Sequence, residues 1–189
     1  MDGAPPPALS PEQRKALERA RERARVFMKA GRVAAFNVWT LGVFATFTLL
    51  FGVTSPTALL LGGALATVAF FEHRGRIRLR EFDPAGPRLL ARNQLTLMAV
   101  IVVYALWRLW KTQTAPDPAL QQMDDLLGGD TAGLVQELTT LVYVAVIALT
   151  VLFQGLMARY YKARVNMVRA YLQETPDWVV ELQRSATLD

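Results

Sequence analysis

The chain of 189 residues contains no cysteine and one histidine, His73. Without cysteine there is no disulfide framework, thiol redox chemistry, cysteine nucleophile or Cys-based zinc or iron–sulfur site. A single histidine excludes multi-histidine metal centres and haem ligation by a histidine pair. No nucleophile elbow, Walker loop, HExxH or twin-carboxylate arrangement occurs, and the pair Gly62-Gly63 lies inside an apolar run where it cannot serve as a phosphate loop. The sequence therefore predicts no catalytic residue, no cofactor and no metal site.

What is present is apolar residue and positive charge, kept apart. The chain is 52% hydrophobic and 20% charged, with a net charge of +5, and its mean hydropathy is positive. That combination needs long apolar runs alternating with charged blocks, which neither a disordered chain nor an ordinary soluble domain has. Four runs stand out: residues 33–53, 56–71, 95–110 and 138–158. A hydrocarbon core of about 30 Å takes roughly 20 helical residues. The second run covers only about 24 Å and must stand upright, borrow flanking residues or thin the bilayer. In lipid such runs form helices, because each backbone polar group must be satisfied within its own segment.

Charge sets a direction. Nineteen of the 21 basic residues precede run one, lie between runs two and three, or follow run four. With four crossings these segments share one side. The other side carries Arg108 and Lys111 against Asp117, Asp124, Asp125, Asp130 and Glu137. The positive-inside rule then places both termini in the cytoplasm. Run one begins too late and is too long for a cleaved signal peptide. Runs one and two, separated by Thr54-Ser55, are read as a crossing hairpin, with a re-entrant pair as the alternative. An Ala- and Arg-rich composition with few lysines suggests a GC-rich bacterial genome and hence an inner membrane.

The expected organisation is a disordered Pro-rich segment 1–10, a basic amphipathic helix 11–31, a four-span membrane domain 33–158 and a cytoplasmic helical tail 159–189. The fold class is all-α, an up-down bundle of four transmembrane helices with amphipathic cytoplasmic helices at both ends. Ser10-Pro11-Glu12-Gln13 reads as a capping box. Leu17, Ala20, Ala24, Phe27 and Met28 then give an apolar stripe, expected to rest on headgroups, with the helix ending near Gly31. Arg74, Arg76, Arg78 and Arg80 alternate with smaller or apolar residues at period two. They read as an extended segment able to contact phosphate or anionic lipid, with Glu72, Glu81 and Asp83 as counter-charges. Residues 117–127 read as a short outer helix, and its acidic neighbours lack EF-hand spacing. Thr175 reads as the N-cap of a last helix, whose Trp178, Val179 and Leu182 should pack on the chain's own cytoplasmic helices.

Inside the runs no ionisable residue is read at mid-membrane. The candidate polar contacts are Asn37 and Gln154, each about one turn in from a cytoplasmic end, and an outer pair between Arg108 and Glu137. Ala58, Gly62 and Ala66, four apart, form a small-residue packing seam. The first functional expectation is a non-catalytic scaffold or accessory subunit whose cytoplasmic helices engage a membrane-protein partner or anionic headgroups of the lipid bilayer, with no nucleic acid involved. The second is a small homo-oligomeric channel or transporter with Asn37, Thr67 or Gln154 on its pathway. The third, an enzyme acting on lipid, would need the loop arginines with His73 or Glu81.

Overall fold

The computed structural model describes residues 9–114 and 131–188, and these are helical apart from short turns. The elements are α1 (Pro11–Phe51), α2 (Pro56–Arg80), α3 (Ala85–Thr114), α4 (Thr131–Glu174) and α5 (Asp177–Leu188). Four of them are long and apolar enough to cross a membrane. The expected helix at 117–127, with Asp117, Asp124, Asp125 and Asp130, lies outside the described residues.

Local chemistry sets the helix ends. The Ser10 hydroxyl accepts from Gln13 N–H at 3.2 Å and the Ser10 N–H donates to Gln13 Oε1 at 2.9 Å, the reciprocal box read from sequence. From there α1 runs 41 residues without a break. It does not end near Gly31 as expected. A glycine inside a helix costs only about 1 kcal/mol relative to alanine, and Gly31 is buried, with Leu79 close by. The hairpin to α2 requires Gly52, because a Cβ there would overlap Ala58 Cβ and the Thr48 carbonyl.

Residues 74–80 are helical, which corrects the extended reading of the four arginines. Nothing between Pro56 and Arg80 breaks a helix strongly enough, and α2 simply continues past its apolar run. At 100° per residue, period-two spacing scatters Arg74, Arg76, Arg78 and Arg80 over two faces instead of one patch. The helix stops in a Schellman motif: Phe82 N–H donates to Leu79 O at 3.2 Å and Asp83 N–H to Arg78 O at 2.9 Å. Phe82 occupies the left-handed position, at φ 61°, that usually belongs to glycine. Asp83 Oδ1 then accepts from Ala85 N–H at 2.8 Å and opens α3.

The best-packed core lies where both termini meet the α2–α3 turn, at the end rich in arginine. Leu17, Ala20, Ala24 and Phe27 are buried there as their spacing predicts, with Met28 packed at the edge. They are covered by protein, not left for headgroups. The Phe27 ring stands edge-on to Phe82 and Tyr171, with centroids 6.0 and 5.4 Å away. On α5, Val179, Val180 and Gln183 turn inward. Of the expected face, Val179 is buried, while Trp178 and Leu182 are more than a third exposed. Thr175 is not the cap of α5; the Pro176 carbonyl accepts from Val179 and Val180 N–H.

The apolar half is looser. No described side chain of α4 is buried before Ala158. On α1, Phe36 and Trp39 are 69% and 71% exposed. The ion pair of Arg23 with Glu174 and the contact of Phe27 with Tyr171, which join α1 to α4, lie at the basic end. Consecutive helices therefore pair as hairpins, and among the described residues the bundle closes tightly at the basic end.

Candidate functional site

At the junction between the packed end and the apolar half, four helices converge on one carboxylate. Glu72 of α2 is fully buried. Its Oε1 accepts from Asn37 Nδ2 of α1 at 3.2 Å, from Tyr161 Oη of α4 at 3.2 Å and from Gln94 Nε2 of α3 at 3.1 Å. Its Oε2 accepts from Asn93 Nδ2 at 2.7 Å and from Gln94 Nε2 at 3.2 Å. Asn93, Gln94 and Tyr161 are themselves buried, and Asn37 is half-buried.

Helix geometry explains the meeting. Glu72 follows the last apolar residue of run two, Gln94 precedes the first of run three, Asn37 is one turn into run one, and Tyr161 is one turn beyond run four. In consecutive antiparallel helices these positions share one level. The donors' orientation is also determined. Asn93 Nδ2 donates to the Val68 carbonyl at 2.9 Å, a group that can only accept, so its amide nitrogen must face α2. Three side-chain amide nitrogens and the Tyr161 hydroxyl thus face the two carboxyl oxygens of Glu72.

No cation faces Glu72 in a salt bridge; among the described residues the ion pair is Arg23–Glu174, at 2.8 Å on the surface. The carboxyl group is held by hydrogen bonds alone. With both oxygens filled by side chains of the same protein, the carboxylate acts as a tie between four helices. Among the described residues no three His, Cys, Asp or Glu side chains gather as a metal site.

The residues singled out by sequence fall in different places. Asn37 reaches the cluster. Gln154 does not, and its buried Oε1 has no hydrogen-bond partner. Arg108 Nε donates to Tyr143 Oη at 3.2 Å, whereas Glu137 is exposed, so the expected Arg108–Glu137 pair is not formed. Tyr143 lies six positions beyond Glu137, which puts them about 120° apart around α4. Gly62 packs on Leu49 of α1 and Ala58 on Gly52, but Ala66 is exposed, so the small-residue seam covers two positions of three.

Thr67, expected as an interhelical contact or pathway residue, donates to its own helix at Gly63 O, 2.9 Å away; Thr46, Thr48 and Thr140 do likewise on theirs. Arg74 stacks over Phe70 at 5.8 Å, Arg78 is exposed, and Arg76 and Arg80 are half-buried. His73 is exposed and Glu81 half-buried. The residue missed was Glu72, assigned to the loop because it begins a charged stretch. The chain matches no family model, no curated protein and no solved structure.

Proposed function

We propose that this chain is a multi-pass inner-membrane protein with both termini in the cytoplasm, acting as a non-catalytic scaffold or accessory subunit. The observation that carries this reading is the position of its core. The ordered, tightly packed part is a platform of α1, α4, α5 and the α2–α3 turn at the basic end, while the apolar half packs loosely. Such a platform suits docking; a pathway would need an enclosed polar lining among the spans. The charge bias supports the orientation. Exposed arginines around the platform favour an acidic partner or anionic headgroups.

The test is purification from native membranes in mild detergent, with mass by light scattering and co-purifying proteins by mass spectrometry. A stoichiometric foreign partner is expected. A symmetric homo-oligomer with nothing else bound would overturn the reading.

One observation favours the second reading, a small homo-oligomeric channel or transporter: a buried carboxylate without a countercharge at the edge of the apolar half. Under that reading, ion or proton flux into proteoliposomes is measurable and is lost in Glu72→Gln. Under the scaffold reading neither protein conducts.

A further inference from the structure

A groove of about 450 Å³ runs along the packed end between α1 and α5. Leu17, Met28 and Phe82 belong to its apolar wall, and Leu182 stands on its α5 side. Arg21 and Arg25, one helical turn apart on α1, are both exposed along it. Among the described residues no carboxylate lines the groove, and neither arginine is in an ion pair with one of them.

Depth decides what can lie there. The last charge before the first apolar run is Arg32. At 1.5 Å per residue, Met28 is about 6 Å below it along α1 and Leu17 about 22 Å below. The polar headgroup layer is only about 5–8 Å thick on each side of the hydrocarbon core. With α1 entering the membrane along its axis, most of the groove lies beyond the reach of a lipid headgroup. Its length, from Leu17 to Met28, is about 16 Å, or three turns of helix.

We infer that the groove between α1 and α5 is the docking site for an amphipathic helix of a partner protein, with aliphatic side chains on one face and carboxylates flanking it. Aliphatic groups fill the strip against Leu17, Met28 and Leu182, as in helix-in-groove recognition. The carboxylates pair with Arg21 and Arg25, whose planar guanidinium groups suit bidentate contact. This rests on the scaffold reading and names the partner's chemistry.

The experiment places a photo-crosslinking amino acid at Leu182 of the full chain in native membranes, with the cross-linked peptide identified by mass spectrometry. The expected product joins position 182 to an acidic, amphipathic helical segment of one foreign protein. Its yield should fall at least about tenfold in the double variant Arg21→Glu/Arg25→Glu and should also fall at high salt. The milder pair Arg21→Gln/Arg25→Gln, with an unchanged melting profile, guards against misfolding and should lose most of the yield too.

Cross-linking to lipid, to a second copy or to residues 1–8 of the same chain would overturn the inference, as would an acidic partner indifferent to both variants. Absence of any product at position 182, while a stoichiometric partner still co-purifies, sinks the groove but leaves the scaffold reading standing. If no partner co-purifies, the scaffold reading itself fails.

Discussion

Glu72 shows how much one residue can depend on its neighbours. Three amides and a phenol converge on it, so Glu72→Leu would leave Gln94 and Tyr161 buried without their acceptor and Asn93 with the Val68 carbonyl alone. Leaving buried donors unsatisfied costs about 1–3 kcal/mol each in water, and interhelical bonds in membranes average nearer 0.6 kcal/mol. The expected loss for Glu72→Leu is about 2–3 kcal/mol, against less than about 1 kcal/mol for Asn37→Ala at the half-buried edge. Thermal loss of the monodisperse peak in detergent measures both; equal melting of Glu72→Leu and wild type would refute the tie. This residue was legible in principle. Read as the end of a run, Glu72 looks like loop charge. Read beside Asn37, Asn93-Gln94 and Tyr161, which end or begin the other runs at the same level, it is the one acid that four helices can share.

Helices were legible as apolar runs but not in their full length, because hydropathy marks what lipid can cover and says nothing of where hydrogen bonding stops. The stretch 74–80 looked extended because arginine alternates with smaller residues, yet its end is set by Phe82 and Asp83 in the Schellman turn. The α2–α3 junction it creates is tight: a Cβ on Gly86 would stand 2.6 Å from the Leu79 backbone nitrogen. Backbone cannot step aside, so Gly86→Ala is expected to destabilise by about 1–3 kcal/mol. Gly63, with nothing within 4 Å, is the control, and Gly63→Ala should be neutral or up to about 1 kcal/mol stabilising. Parallel melting of the two variants decides it.

The basic-end extension of α4, well past its apolar run, carries Tyr171, whose hydroxyl donates to Gln183 Oε1 of α5 at 3.0 Å. Burial raises the Tyr171 pKa above the ordinary tyrosine value. Because the folded form holds that proton more tightly than the unfolded one, stability from this site is complete below pH about 10 and declines as pH rises beyond it. Tyr171→Phe should lose some stability at neutral pH and show a shallower alkaline decline. Unfolding midpoints between neutral and strongly alkaline pH test this, and an identical slope in both proteins would exclude Tyr171 as the cause.

For the whole molecule, sequence specified which segments are apolar and which end is basic, while the closure of the bundle depended on contacts no periodicity reports. The stripe Leu17–Met28 was visible; that Tyr171, Phe82 and α5 would cover it, instead of a membrane surface, was not, because those partners lie far away in sequence. The proposed orientation rests on charge alone and can be tested directly, since a chain without cysteine accepts single labels cleanly. Lys15, Arg88 and Ser185 are exposed near the basic end; Thr57 and Thr114 are exposed at the two sites bordering the opposite ends of α2 and α3. Replaced singly by cysteine in spheroplasts, Thr57 and Thr114 are expected to react with an impermeant maleimide at once. Lys15, Arg88 and Ser185 should react only after permeabilisation, since 19 basic residues strongly oppose translocation of that end. A re-entrant α1–α2 hairpin would instead leave Thr57 unlabelled in intact spheroplasts, with Lys15, Arg88 and Ser185 still on one side. An odd number of crossings would place the terminal helices on opposite sides, where they could not share the core in which Phe27 meets Tyr171, so labelling that separates Lys15 from Ser185 would overturn the fold as well as the topology.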